Sequence, residues 1–310
     1  MEETSEKFGK PPEERSLKEL LESGIVVIDK PQGPTSHQVT AWVKQILGAK
    51  KAGHSGTLDP NVTGVLPVTL NSATKIVPAL LKANKGYIGI MHLHGDAKKG
   101  GIIKVAKQFE GDILQIPPVK SAVKRRSRKR RVYLLKILEV EEREVLFVST
   151  VEAGTYIRKL CHDMGVALGV GANMKELRRT KAGPFKEEHV TTLHELNEAW
   201  NYYKETGEEG LLRKLIRPVE EGVTALSKVY VKDSAVNSLT YGANLGVAGI
   251  AQVDKSVEPG KLVAIMTLKG ELVAIGVAHL SGEDMSKVWE GEAVDTSRVI
   301  MKQDVYPKTW

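Results

Sequence analysis

The run Gly53-His54-Ser55-Gly56-Thr57-Leu58-Asp59-Pro60-Asn61-Val62-Thr63-Gly64 holds a single carboxylate, Asp59, in a setting suited to chemistry. Gly53, Gly56 and Gly64 permit sharp backbone bends and the close approach of a ligand. Pro60 keeps Asp59 out of the helical region, so the acid is expected on a loop of fixed direction. On residues alone, an ordinary Asp-Pro turn beside a solvated His54 explains the same string. A second arrangement, His92-x-His94 followed by Asp96, would set two imidazoles on one face of a strand beside a carboxylate, as a metal site requires. No further His or Cys at ligand spacing accompanies it.

Elements able to hold Asp59 flank it on both sides. Val62 to Leu70 is apolar and partly β-branched, the pattern of a buried strand. Gly24 to Pro31 reads as another strand ended by proline, and Thr35 with Gln38 forms a capping box that opens a helix carrying Val39, Trp42, Val43, Ile46 and Leu47 at helical spacing. Short helical character is expected around Thr74 to Leu81, and a strand over Ile88 to Leu93. Val132 to Val140 and Val145 to Val151 predict a hairpin turning near Glu141 to Arg143. A helix then runs to about Leu168. Thr192 with Glu195 caps a further helix to about Lys204, and a break at Thr206-Gly207 precedes a short helix ending near Arg217-Pro218.

The 310 residues suit two domains, and the composition, 41% hydrophobic and 27% charged, is that of a globular protein. No run of eighteen apolar residues occurs and Met1 to Lys18 lacks an apolar core. The expectation is therefore a cytoplasmic protein without a membrane span or signal peptide. The one cysteine, Cys161, excludes an internal disulfide and fits a small buried apolar residue. The net charge of +7 is concentrated between Lys120 and Arg131. Taking those eight bases from the chain's 45 leaves 37 against 38 acids. Such a run is commonly just solvated. Set between Pro117-Pro118 and a strand, it reads instead as a loop whose Lys120, Lys124, Arg125, Arg126, Arg128, Lys129 and Arg130 meet RNA phosphates.

Several stretches, taken in order, resemble the TruB-type pseudouridine synthases. These are DKPQGPTS at residues 29–36, the twelve positions around Asp59, Lys85-Gly86-Tyr87, the PPxxSA stretch at 117–122, Gly154-Thr155-Tyr156-Ile157-Arg158, and Leu177-Arg178-Arg179-Thr180 with Gly183-Pro184-Phe185. The form GHSGTLDPxVTG and the string MHLHGD are similar to the archaeal and eukaryotic branch of that family, Cbf5 or dyskerin, for which no metal is implied. Ile116 departs from the arginine that relatives often place before the two prolines. The resemblance implies that Asp59 is the catalytic aspartate and that Arg158 pairs with it, a pairing that suits the planar guanidinium fork. It further implies a target-uridine pocket formed by His54, Tyr87, Tyr156 and Leu177, Tyr87 stacking on an extruded base. After residue 228 the pattern changes to strands with one short helix from Asp233. Leu262 to Leu268 and Leu272 to Ala278 flank a turn at Lys269-Gly270-Glu271, and the whole resembles a PUA domain.

The expected architecture is an α+β catalytic domain on a mixed, mostly antiparallel sheet over 21–225, an N-terminal extension over 1–20 and a small β-rich PUA domain over 228–303. The implied activity is isomerisation of uridine to pseudouridine without cofactors, because the reaction requires neither metal, redox carrier nor nucleotide. The implied setting is a ribonucleoprotein with box H/ACA guide RNA, substrate RNA and the proteins Nop10, Gar1 and L7Ae. A stand-alone tRNA uridine-55 pseudouridine synthase shares the motifs, and a non-catalytic RNA-binding scaffold is the reading from another class.

Overall fold

The computed structural model describes residues 4–116 and 126–308. Lys120, Lys124 and Arg125 lie outside the described residues, as does the PPxxSA stretch.

The first sheet comprises β1 (Gly24–Lys30), β2 (Ala52–His54), β3 (Thr63–Leu70), β4 (Lys85–Leu93), β5 (Gly111–Gln115), β6 (Arg128–Glu141), β7 (Glu144–Val151), β8 (Ala172–Ala182), β9 (Phe185–Lys186) and β10 (Ile216–Pro218). Its order is β10-β1-β3-β8-β4-β7-β6-β5, with β2 paired to β3 and β9 to β8. Every ladder is antiparallel except β3 with β8. The mixed, mostly antiparallel sheet expected from the sequence is therefore present. Its helices are α1 (Leu17–Glu22), α2 (Ser36–Ile46), α3 (Val77–Lys82), α4 (Lys99–Gln108), α5 (Ile157–Ala167), α6 (Leu193–Thr206) and α7 (Gly210–Leu215).

The capping boxes at Thr35/Gln38 and Thr192/Glu195 both form. On α2, Val39 and Val43 are buried whereas Trp42 is 42% exposed, so the apolar stripe is narrower than helical spacing alone indicates. Elements without a counterpart in the sequence reading include α1, which starts inside the expected extension, and α4, β5 and β8. Strand β8 runs through the middle of the sheet, yet reads Ala-Asn-Met-Lys-Glu-Leu-Arg-Arg-Thr-Lys-Ala. The apolar groups beneath the future site form one cluster with Leu58, Val62, Phe147, Ile157, Leu160 and Leu177, against which Tyr87 packs.

A second sheet contains β11 (Ser227–Val231), β12 (Leu245–Gly246), β13 (Ile250–Val253), β14 (Leu262–Thr267), β15 (Leu272–Ala278) and β16 (Glu292–Val299), in the order β12-β16-β15-β14-β11-β13. It carries α8 (Asp233–Thr240) and α9 (Gly282–Met285). The two sheets share a core in which Ile25, Val27, Ile76 and Leu80 meet Ala264, Met266, Leu272 and Ile275. The N-terminal segment straps this second sheet. Thr4 Oγ1 and the Ser5 N–H donate to the Asp233 carboxylate at 2.8–3.0 Å, and Phe8 packs on Tyr306. Lys269 Nζ donates to the carbonyls of Ser5, Phe8 and Gly9. Arg15 then forks onto Glu220 at 2.7 and 2.8 Å, before Leu17 and Leu20 enter the core of the first sheet. Among the described residues no helix is long and apolar enough to cross a membrane.

Candidate active site

Asp59 lies in the loop between β2 and β3, and that loop is fastened from beneath. Ser36, the first residue of α2 and fully buried, donates to the Leu58 carbonyl at 3.1 Å and accepts from the Leu58 N–H at 2.8 Å. Lys30, at the end of β1 and also fully buried, donates through Nζ to the carbonyls of Pro31, Pro60 and Val62 at 2.8, 3.0 and 2.9 Å. Burial depresses the Lys30 ammonium, and the nearby charge of Asp59 acts in the opposite direction. A turn closed by the Val62 N–H to the Asp59 carbonyl, 3.0 Å, completes the frame. The Asp59 carboxylate leaves it to meet the Arg158 guanidinium, whose Nη2 donates to Oδ2. Both side chains are about half exposed, at 54% and 51%. The pair is thus reachable from solvent, on a loop whose backbone these bonds hold in place.

A second cation organises the floor. Arg179 of β8 is 1% exposed, donates through Nε to the Val65 carbonyl at 2.8 Å and through Nη2 to the Gly56 carbonyl at 3.2 Å. Burial lowers its affinity for its proton, and Tyr87, whose hydroxyl lies against it, acts the other way. Gly64 makes this contact possible. With φ at +102° it lets β3 lie parallel to β8, where an added Cβ would stand 2.2 Å from the Arg179 carbonyl oxygen. Lys85, on β4, donates to the carbonyls of Leu80 and Ala83 at 2.9 and 2.8 Å. Its ammonium is pushed down to about 7 by burial and by the charge of Arg179. His54 is pushed down to about 4 by burial, by His37 and by Arg179. Its ring stands edge-on to His37 at 4.8 Å, and at neutral pH it is uncharged.

Alternation on β8 turns Leu177, 8% exposed, to the same face as Arg179, in the cluster that Tyr87 packs against. Tyr156 stands at the N-cap position of α5, and two residues on, Arg158 reaches Asp59. Asp59, Arg158, His54, Tyr87 and Leu177 are therefore tied together through Arg179 and one apolar cluster, and Tyr156 enters on the element that carries Arg158. Lys30, Ser36, Lys85, Arg179 and Gln115, which clasps the Tyr156 backbone, had no functional reading in the sequence. Their partners are carbonyls and amides, which leave no trace in residue types.

Of the described part of the basic run, Arg126 and Lys129 are exposed, and Lys129 pairs with Asp112 at 2.9 Å. Arg130 differs from the free phosphate binder expected. Its side chain is 21% exposed and folds onto Gly154, with Glu152 at 3.7 Å. His92 and His94 lie 6.2 Å apart, but His92 meets Glu144 at 2.9 Å, His94 meets Asn173 at 2.8 Å, and Asp96 is held by Arg143. Among the described residues no group of His, Cys, Asp and Glu has the geometry to hold a metal. A cleft of about 590 Å³ lined by His92, Asp96, Glu142 and Arg143 shares no residue with the Asp59 surroundings. The candidate site is marked instead by the Asp59–Arg158 pair and the buried cations beneath its loop.

Comparison with known proteins gives this geometry a family. Residues 44–157 match the N-terminal domain of TruB family pseudouridylate synthases, 158–224 the C-terminal domain of tRNA pseudouridylate synthase B, 227–300 the PUA domain and 1–40 the DKCLD domain. The probable tRNA pseudouridine synthases B of Methanopyrus kandleri and Pyrococcus furiosus are each 54% identical over 99% of this chain and 91% of their own. The fold is similar to that of a chain in a Cbf5-Nop10-Gar1 complex, with TM-score 0.96 and 54% identity over 99% of this chain and 94% of that one. A chain in an H/ACA RNP bound to a substrate RNA containing 2'-deoxyuridine gives TM-score 0.94 and 52% identity over the same shares. With relatives of this identity aligned along nearly its whole length, the chain belongs to the TruB family of pseudouridylate synthases.

Proposed function

We propose that this protein is the catalytic subunit of a box H/ACA ribonucleoprotein that isomerises guide-selected uridines to pseudouridine, in rRNA first and with tRNA as a further candidate substrate. The observation that carries the reading is the half-exposed Asp59–Arg158 pair on a backbone frame fixed by Lys30, Ser36 and Arg179. In the isomerisation the N1–C1′ bond of uridine breaks, the base turns, and a C5–C1′ bond forms, with one proton lost from C5 and one gained at N1. Asp59 supplies the carboxylate that attacks base or ribose. Arg158 directs it through a charge-assisted contact, Tyr87 stacks on the extruded base, and Leu177, Tyr156 and neutral His54 wall the pocket. The division of labour assigns chemistry to residues 21–225 and RNA grip to 228–303. Nop10, Gar1, L7Ae, guide RNA and substrate RNA are the assigned partners, since the similar structures are a Cbf5-Nop10-Gar1 complex and an H/ACA RNP bound to substrate. The cytoplasm is the compartment this reading assigns.

The relatives' own description as probable tRNA pseudouridine synthases B favours a second reading, a stand-alone tRNA uridine-55 synthase. A non-catalytic scaffold is disfavoured because Asp59 and its arginine are both in place. The deciding experiment measures pseudouridine in a guide-matched RNA and in a tRNA, with and without guide and partner proteins, for wild type and Asp59→Asn. Product that needs the guide and vanishes in Asp59→Asn supports the first reading. Full activity on tRNA without a guide selects the second, and product from Asp59→Asn under single-turnover conditions would remove Asp59 from the chemistry.

A further inference from the structure

We infer that Gln115 is a positioning residue for the pseudouridine reaction, an amide clamp that sets where Tyr156, and with it Arg158, stand relative to Asp59. The inference rests on the reading above and extends it to a residue outside the family resemblance. Gln115 ends β5 and is 2% exposed. Its Oε1 accepts from the Tyr156 N–H at 2.9 Å and its Nε2 donates to the Tyr156 carbonyl at 3.2 Å. A side-chain amide carries an acceptor and a donor on separate atoms and so can serve both halves of a peptide at once. Tyr156 is the N-cap of α5, and its own side chain makes no capping hydrogen bond. Gln115 takes this part from outside the helix, while the same Tyr156 carbonyl also accepts the first intrahelical bond, from the Leu160 N–H at 3.0 Å.

The preceding turn is braced by the neighbouring strand. The Glu152 N–H donates to the Arg131 carbonyl at 2.8 Å, and the Arg131 N–H donates back to the Glu152 carboxylate at 2.9 Å. Thr155 Oγ1 donates to the Glu152 carbonyl at 2.7 Å, and the Arg130 guanidinium covers Gly154, which has φ at +80°. Strands β5 and β6 therefore brace residues 152–156, and Gln115 is the brace placed directly on the Tyr156 backbone. Losing it frees the start of α5 to shift. Since Arg158 lies in the first turn of that helix, the shift moves the arginine that directs Asp59. A displacement near 1 Å at a reacting centre costs about 100-fold in rate.

The test uses Gln115→Met, which keeps length and burial but neither hydrogen bond, and Gln115→Glu, which keeps the acceptor for the Tyr156 N–H and loses the donor to its carbonyl. Both are assembled with guide RNA, Nop10, Gar1 and L7Ae beside wild type. The single-turnover rate is expected to fall about 100-fold in Gln115→Met and less in Gln115→Glu, with substrate RNA affinity within about threefold. Exchange of the Tyr156 backbone amide should quicken at least about tenfold in Gln115→Met, because its acceptor is gone. A wild-type rate in Gln115→Met, a rate that falls only in step with affinity, or unchanged Tyr156 exchange would each overturn the clamp. Should Gln115→Met fail to fold, the same readouts on Gln115→Glu decide, a wild-type rate again refuting it. No product from wild type itself would instead overturn the underlying pseudouridine reading, and Tyr156 exchange distinguishes that failure from this one.

Discussion

Gly64→Ala is the sharpest test of the contact that joins the Asp59 loop to the floor of the pocket. Two costs arise. An alanine at φ +102° leaves the allowed regions for an L residue, which costs about 1–2 kcal/mol. Its Cβ would also sit 2.2 Å from the Arg179 carbonyl oxygen and 2.9 Å from its nitrogen. Backbone cannot yield as a flexible side chain can, so β3 and β8 must part by about 1 Å, at roughly 1–3 kcal/mol for overpacking. The sum is about 2–5 kcal/mol, a loss of roughly 5–15 °C in Tm at the few degrees per kcal/mol usual for domains of this size. Gly48→Ala provides the control. Gly48 has φ at +61° but an added Cβ would meet nothing within 4 Å, so it carries a backbone cost without the contact. Thermal melts of both variants, with single-turnover assays at a temperature where both are folded, separate the terms. Gly64→Ala should melt clearly below Gly48→Ala and lose about 100-fold in rate, because Arg179 moves away from Gly56 and Tyr87 with its strand. Equal melting temperatures and equal rates for the two variants would refute the argument that this close approach holds the site together.

Other outcomes follow from neighbouring contacts. Arg158→Lys keeps the charge but loses the planar fork, and should lower the single-turnover rate at least about tenfold with RNA affinity within a few-fold; an unchanged rate would separate Arg158 from Asp59. Arg126→Ala with Arg128→Ala should flatten the plot of log affinity against log salt by about 1.5–2 if each meets one phosphate, with an unchanged slope assigning both to solvent. His54 is depressed in the folded protein to about 4. The stability it contributes is complete above its unfolded value near 6.5 and is lost as pH falls toward 4. His54→Gln should therefore reduce the slope of stability against pH between about 4 and 6.5, by about 2 kcal/mol overall after allowing for solvent at the ring's open edge. Denaturant titrations at pH 4.5 and 7 measure it.

The Asp59 loop, β1, the two capping boxes and the β6–β7 hairpin could be read from the sequence because each is written in local terms: a glycine, a proline, a Thr three residues before Gln or Glu, an apolar alternation. Strand β8 could not. Its inward position 179 is an arginine, so the period-2 signal of a central strand is broken where the fold uses it to reach carbonyls on another strand. Helix α4 starts Lys-Gly-Gly with no capping side chain, and its start is held by tertiary context. Lys30, Lys85 and Gln115 were hidden for a related reason. Each satisfies itself on peptide groups distant in sequence or invisible to composition, and only the folded chain shows which carbonyls converge. Arg130 was legible as a base but not as a strut, since the glycine it covers stands 24 positions further along the chain.

The strap formed by Thr4, Ser5 and Phe8 has a bearing on how the protein is made. Its docking points, Asp233, Lys269 and Tyr306, lie 228 or more positions later in synthesis. Early residues thus emerge from the ribosome long before the surface they seal exists, while the first sheet can already close on itself, since domains generally fold as units with the N-terminal one first. Docking of the strap becomes a late event that reports completion of the second sheet. Until then the apolar edge around Tyr306 and Phe8 is uncovered, the condition in which nascent chains associate with one another. Slow translation between residues 230 and 300 would lengthen that interval, so yield on expression should respond to synonymous changes there even though the finished protein is identical.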